Sequence, residues 1–346
     1  MAAEKTSRPT MAQVAKLAGV SPTTVSLVIN DDPRAKSISE PTRDRVAEAV
    51  RSLGYRPNHA ARGLRTQKSE TLGFITDEIA TAPFAGDTIR GAQDYSWKRN
   101  HLLTVLNTGG DPSMEEASIE MVLGRQVDGI IFGAMYTREV APPRSLERTR
   151  AVLLNCYAPG STYISVIPAE KEGGRTATQI LLDAGHRRIG FINGLGTTYA
   201  AKERLKGYRQ ALRDNGVSYE PRLVRNGNYH SDSGHRHARE LLTGENPPTA
   251  LFCSSDRMAV GAYYAIMELG LSIPRDVSVV GYDNQLELAA YASPPMTTIQ
   301  LPHYELGYTA ARYLLEDAPS NGQGGGTVHE IECPAVIRDS VGPPPN

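Results

Sequence analysis

The stretch Thr10-Met11-Ala12-Gln13-Val14-Ala15-Lys16-Leu17-Ala18-Gly19-Val20-Ser21-Pro22-Thr23-Thr24-Val25-Ser26-Leu27-Val28-Ile29-Asn30 carries two short helical patterns around a break. Thr10 is placed to cap the first, and Met11, Val14, Leu17 and Ala18 recur behind it at helical spacing. Gly19-Val20 interrupts the pattern, glycine being the residue that enters a left-handed turn at no steric cost. Ser21-Pro22 restarts it: the serine side chain accepts an orphan backbone N–H, and proline at the first helical position gives up no needed donor. Val25, Val28 and Ile29 form an inward stripe. Two short helices joined through a glycine turn make a helix-turn-helix, whose second helix enters the major groove of DNA.

With that stripe inward, Thr23, Thr24, Ser26, Leu27 and Asn30 face out. Hydroxyls bind phosphate oxygens or base edges, and a leucine touches only apolar groups such as a thymine methyl. A third helix opens at Ser39-Glu40-Pro41, carries Val46, Ala49, Val50 and Leu53 on one face, and closes at Gly54. The run Pro57-Asn58-His59-Ala60-Ala61-Arg62-Gly63-Leu64-Arg65-Thr66 follows. It is two turns long and contains a glycine, so alone it reads as a marginal helix or an ordinary linker.

Charge divides the chain. Residues 1–68 hold twelve Lys/Arg against six Asp/Glu, whereas the other 278 hold 25 against 32, although the net charge of all 346 residues is only −1. A basic end on an acidic body is the footprint of a polyanion partner or of a solvated basic face. Hydrophobic residues make up 40% and charged residues 22%, which excludes a disordered chain. No apolar run approaches the roughly 20 residues needed to span a bilayer, and Met1 to Pro9 is polar. A cytoplasmic location with no membrane partner is expected. Cys156, Cys253 and Cys333 are odd in number and far apart, as expected of reduced thiols.

Residues 10–67, from the quoted stretch through Tyr55-Arg56-Pro57-Asn58, resemble the DNA-binding headpiece of the LacI family of bacterial repressors, and the resemblance continues along the remaining chain. It implies a helix-turn-helix headpiece over 1–56 and a hinge over 57–68. It further implies that Pro22, Thr23 and Leu27 read bases, and that Ser21, Thr24, Ser26 and Asn30 hold phosphates. Asn58, Ala61 and Leu64 would meet the minor groove, with Leu64 as the wedge that kinks the operator. Gln13 stands where the family usually has an acidic residue, and Leu27 where many relatives have Arg or His.

From Thr71 onward short apolar runs such as Leu72-Gly73-Phe74-Ile75, Gly129-Ile130-Ile131-Phe132 and Val277-Ser278-Val279-Val280 alternate with amphipathic stretches such as 170–183 and 202–214. Alternating β and α elements imply parallel sheets covered on both faces, here in two Rossmann-like lobes. The fold class is therefore an all-α headpiece followed by an α/β two-lobe domain like the periplasmic binding proteins. The resemblance has the chain cross between lobes three times, which puts one lobe at 69–162 and 294–325, the other at 163–293 and 326–340, and a disordered tail at 341–346.

Ligands in such sheets sit at the carboxyl ends of the strands. Phe84 and Asp87 follow the first strand, and the resemblance matches Arg204, Tyr229, Ser255, Asp256 and Asp283 to effector-binding positions. Aromatic faces cover the apolar side of a sugar while Arg and carboxylates bridge its hydroxyls. Ala169 stands where many relatives carry Asp. There is no nucleophile elbow and no Walker A sequence, and Gly194-Leu195-Gly196 lacks the third glycine of the dinucleotide fingerprint. His235 and His237 are two apart and share no helix face, so no zinc pair forms.

These readings converge on a homodimeric repressor, not an enzyme and without a cofactor or metal. It is expected to bind a palindromic operator on double-stranded DNA and to answer to a small sugar-like effector. The alternatives are a solute-binding module without DNA function, or a regulator using a purine or a protein corepressor.

Overall fold

The computed structural model describes residues 9–30, 32–55, 69–82, 85–316 and 326–345. The chain forms two units, one ending at Ser69 and one starting at Glu70. The expected hinge contacts Asn58, Ala61 and Leu64, and the expected effector contact Phe84, lie outside the described residues.

The first unit holds α1 (Met11–Ala18), α2 (Pro22–Ile29) and α3 (Glu40–Leu53). Most of these boundaries follow from local residues. The Gln13 N–H donates to Thr10 Oγ1 at 3.3 Å while the Thr10 N–H donates to Gln13 Oε1 at 2.7 Å, a reciprocal capping box. The uncommon glutamine is therefore a working cap. Gly19 (φ 67°) and Gly54 (φ 59°) end α1 and α3 in the left-handed region. The Thr24 N–H donates to Ser21 Oγ at 3.1 Å, which starts α2. Helices α1 and α2 are bent 101° from one another, within the range of helix-turn-helix pairs.

Val14, Ala18, Val25, Val46, Ala49 and Tyr55 make the core of this unit, with Val28 and Ile29 packed against it. Leu17 departs from the expected inward pattern, being 57% exposed. Only the arc through Met11, Val14, Ala15 and Ala18 meets the other helices, and Leu17 falls outside that arc.

In the second unit, one sheet has the order β11-β5-β4-β3-β1-β2 and the other β12-β10-β9-β8-β6-β7. In chain order these are β1 (Thr71–Thr76), β2 (Leu102–Asn107), β3 (Gly129–Glu139), β4 (Ala151–Tyr157), β5 (Ile164–Pro168), β6 (Ile189–Asn193), β7 (Val224–Asn226), β8 (Ala250–Cys253), β9 (Ser278–Asp283), β10 (Thr297–Gln300), β11 (Val328–Ile331) and β12 (Ala335–Val336). All pairings are parallel except β10 with β12. The first sheet packs with α4 (Gly86–Lys98), α5 (Pro112–Gly124) and α10 (His303–Leu315). The second packs with α6 (Glu170–Asp183), α7 (Tyr199–Asp214), α8 (Ser231–Leu242) and α9 (Asp256–Glu268).

The chain crosses between lobes three times, but at other points than expected. β5 pairs with β4 and β11 in the first sheet, so 163–168 and 326–331 belong to the first lobe. β10 pairs with β9, so 297–300 belongs to the second. The crossings lie near 169, 301–302 and 332–334. A short apolar strand carries no local mark of the sheet it will join, and only its hydrogen-bond partners decide.

The expected disordered tail is also corrected for its described part, 341–345. Val341 packs on the second-lobe core, and the Gly342 N–H donates to Ser278 Oγ at 3.0 Å. The Gly342 carbonyl lies 2.9 Å from Nε2 of the fully buried His186, whose Nδ1 lies 2.8 Å from Thr249 Oγ1. Burial lowers the His186 pKa, and facing the Gly342 carbonyl makes Nε2 the donor.

Candidate functional site

On α2, Ser21, Pro22 and Thr23 are exposed, whereas Thr24, Ser26, Leu27 and Asn30 are half-buried. Two of these have local duties. Ser21 caps the helix and also bonds Thr24 Oγ1 at 2.9 Å. The Asn30 amide donates to the Ser26 carbonyl at 2.7 Å and to Ser26 Oγ at 3.2 Å. Asn30 therefore closes α2 in the free protein, and reaching a phosphate requires it to release those bonds.

The second candidate site is a cavity of about 800 Å³ at the carboxyl ends of the strands, walled by both lobes. The first lobe contributes the end of β3 from Met135 to Glu139, with Asn155, Tyr157 and His303. A register shift bends β3 between Gly133 and Arg138, and the Asn155 amide donates to the freed Ala134 and Met135 carbonyls at 3.0 and 2.7 Å. Buried Asp77 accepts from the Met135 N–H at 2.8 Å and from Arg138 at 2.7 Å. The second lobe contributes Leu195, Thr197 to Ala200, Lys202 to Arg204, Asn228 to His230, Ser255, Arg257, Asp283 and Gln285. Tyr157 and Tyr199, one from each lobe, meet across the cleft with ring centroids 5.7 Å apart.

Backbone strain gathers here. Asn155 (φ 54°), Tyr229 (φ 66°) and Asp283 (φ 109°) line the cavity in the left-handed region, and Asn284 (φ 54°) adjoins it. Such conformations cost on the order of 1–3 kcal/mol each and gather at ligand-binding sites.

Arg204, Tyr229, Ser255 and Asp283 converge on the cavity as expected. Tyr229 is held by a 2.8 Å hydrogen bond with Thr198 Oγ1, and Ser255 Oγ accepts the Met258 N–H to cap α9. Asp87 lies instead in an adjoining cavity that shares Arg257, Asp283, Gln285, Leu301 and His303 with the first. It is exposed and faces Arg90 at 3.3 Å. Asp256 is a correction: it is fully buried and does not line the cleft. Its oxygens accept from Thr298 Oγ1 at 2.6 Å and the Gln285 N–H at 2.7 Å. Those bonds hold the loop that presents Asp283, because the first turn of α9 points the carboxylate into the lobe.

Sequence reasoning missed Glu170. Ala169 offers no carboxylate, but the next residue accepts from Arg204 Nε at 2.7 Å and from Nη2 at 3.0 Å, both side chains being under 5% exposed. Arg204 also donates to the Ser254 carbonyl, and its Cζ lies 3.5 Å from the Tyr282 ring centroid. The pair exists because α6 and α7 approach closely: a Cβ on Gly174 would stand 2.5 Å from the Arg204 carbonyl oxygen, and one on Gly207 2.1 Å from that of Lys171. Burial alone would lower the Arg204 pKa, but the Glu170 charge overrides it and holds the pKa well above the usual value. Burial raises Asp283 to about 7, against the pull of Arg204 and with the push of Glu170. Asp256 is also raised, by burial and by the Asp283 charge.

The histidine cluster is dispersed. His230 lines the cleft, His235 faces Glu268 at 2.8 Å, and His237 faces Glu240 at 3.0 Å. Among the described residues no group of three His, Cys, Asp or Glu could hold a metal ion, and no single helix is long and apolar enough to cross a membrane. Cys156, Cys253 and Cys333 are buried and unpaired.

A helix-turn-helix unit joined to a two-lobe domain with a strained cleft defines a DNA-binding regulator that responds to a ligand. Residues 10–58 match the bacterial regulatory proteins of the lacI family, and residues 178–341 match a periplasmic binding protein-like domain. The chain belongs to the LacI family of bacterial transcriptional repressors, which are not enzymes. It is 34% identical to the ribose operon repressor of Haemophilus influenzae over 96% of this chain and 98% of that one. It is 35% identical to the HTH-type transcriptional repressor PurR of Aliivibrio salmonicida over 89% and 91%. The fold matches a lac repressor dimer bound to operator with a TM-score of 0.79 and 26% identity, covering 96% and 99% of the two chains.

Proposed function

We propose that this repressor acts in the cytoplasm as a homodimer on a near-palindromic operator and that a small carbohydrate in the interlobe cleft controls it. The observation that carries the effector reading is the convergence of Tyr229, Arg204 and Asp283 on one cavity. An aromatic face beside a guanidinium and a carboxylate suits a ring that is apolar on one side and hydroxylated at its edge. The likeness to the ribose operon repressor agrees with a sugar, and that to PurR favours a purine as the second reading, since Tyr229 offers a stacking face to either.

One helix-turn-helix makes few base contacts, whereas a twofold pair adds the energies of two half-sites. A second copy would cover the apolar groove on the second lobe lined by Tyr264, Met267, Leu271 and Tyr291, where Tyr291 is 76% and Met267 65% exposed. The effector shifts operator affinity only by its differential affinity for two states, a coupling of typically ~1–3 kcal/mol.

The test is a thermal-shift screen of monosaccharides, disaccharides and nucleobases on the full chain, followed by operator binding with each hit. A sugar that stabilises the protein and alters operator affinity is expected, and Asp283→Ala should keep operator binding while losing the response. Stabilisation by a nucleobase alone selects the purine reading. Leu27 sets a further expectation, because leucine cannot form the bidentate contact to guanine that arginine makes. Leu27→Arg should change base preference at one symmetric pair of operator positions, and identical consensus sequences from site selection with both proteins would refute this.

A further inference from the structure

Three arginines line the cleft, and two of them pair directly with a carboxylate of the protein itself. Arg138 donates to Asp77 at 2.7 Å, Arg204 spans Glu170 at 2.7 and 3.0 Å, and the charge of Arg257 acts on Asp283. A site for phosphate or carboxylate keeps a guanidinium fork open for paired hydrogen bonds to the incoming anion. Here the fork of Arg204 is closed by Glu170, with both side chains out of water. Of the five N–H groups on a guanidinium, three of Arg204's are taken by Glu170 and Ser254, which leaves two to donate to neutral acceptors. Glu203 and Asp283 add carboxyl groups to the same wall and Glu139 adds one to the opposite wall, and Lys202 is exposed, where water screens it.

We propose that Glu170 selects the effector by charge: it neutralises Arg204 from within the protein, so the cleft admits an uncharged polyhydroxy ligand and rejects one bearing phosphate or carboxylate. This rests on the reading of the cleft as the effector site. An anion entering beside Arg204 meets the Glu170 carboxylate in a desolvated setting, and Glu170 cannot turn away because Arg204 holds both its oxygens. A neutral hydroxyl meets no such opposition and can donate to Asp283 while accepting from Arg204.

The experiment titrates inorganic phosphate, glucuronate and glucose into the full-length wild type, Glu170→Gln and the double variant Glu170→Gln/Arg204→Gln. The double variant lacks the Glu170 and Arg204 charges but keeps the other cleft residues and the helix-turn-helix unit, so it subtracts phosphate binding elsewhere. Glu170→Gln should bind phosphate at least about tenfold tighter than wild type, and the double variant should lose that gain. Equal phosphate affinity in wild type and Glu170→Gln overturns the proposal. So does binding of phosphate or glucuronate by the wild type that disappears in the double variant. If Glu170→Gln does not fold, that second comparison decides alone: anion binding no stronger in wild type than in the double variant supports the proposal. Failure of glucose and other neutral sugars counts against the carbohydrate reading only, because the phosphate comparison reads Glu170 independently.

Discussion

Glu170→Ala is expected to cost the second unit about 3–5 kcal/mol of stability, the range for removing one partner of a buried ion pair. Arg204 is 3% exposed, and without Glu170 its remaining partners are the Ser254 carbonyl and the Tyr282 ring. Neither offsets a full charge out of water. Replacing both members, as in Glu170→Leu/Arg204→Met, should restore most of the loss, because a desolvated pair contributes little net stability over apolar groups of similar volume. Urea unfolding of the second unit reads both variants. A single variant within about 0.5 kcal/mol of wild type would show that water reaches Arg204, contrary to its burial.

The second large effect concerns pH. Burial raises the Asp283 pKa to about 7, above the 3.8 of an unperturbed Asp, so the folded form binds a proton that the unfolded chain releases. The resulting stabilisation is complete below about pH 4 and is lost as pH rises through about 7. Asp283 is half-buried and touches solvent through the cleft, so we expect on the order of 1–2 kcal/mol, less than the full shift would give. Asp283→Asn should remove this slope and leave the empty protein more stable than wild type at pH 8. It should also weaken effector binding, since an ionised carboxylate accepts hydroxyl hydrogen bonds more strongly than an amide. Unfolding curves from pH 4 to 8 check the sign, and parallel profiles for the two proteins would exclude Asp283 as the titrating group.

Both predictions use residues whose neighbours come from distant parts of the chain, and this marks the limit of sequence reading. The headpiece was legible because its signals are local. Thr10 caps with Gln13, Ser21 with Thr24, and Gly19 and Gly54 end their helices, all within three residues or within one backbone conformation. The alternation of strands and helices was legible for the same reason. The partition into lobes was only partly so: three crossings were expected and three occur, but β5, β10 and β11 join sheets their own residues do not announce. In the cleft, Arg204 and Asp283 were found through resemblance. Asp256 was misplaced by the turn of a helix, and Glu170 was overlooked one position past Ala169.

Residue type and spacing alone determined a capped helix-turn-helix and two lobes of parallel sheet, since each depends on backbone preferences a few residues wide, whereas the arginine, aspartate and tyrosine of the cleft came from the resemblance. The tertiary structure alone decided which sheet each strand enters and which carboxylate answers which arginine. Those outcomes depend on the close approach of α6 and α7 at Gly174 and Gly207 and on burial in a medium of low polarity, where an unpaired charge is too costly to persist.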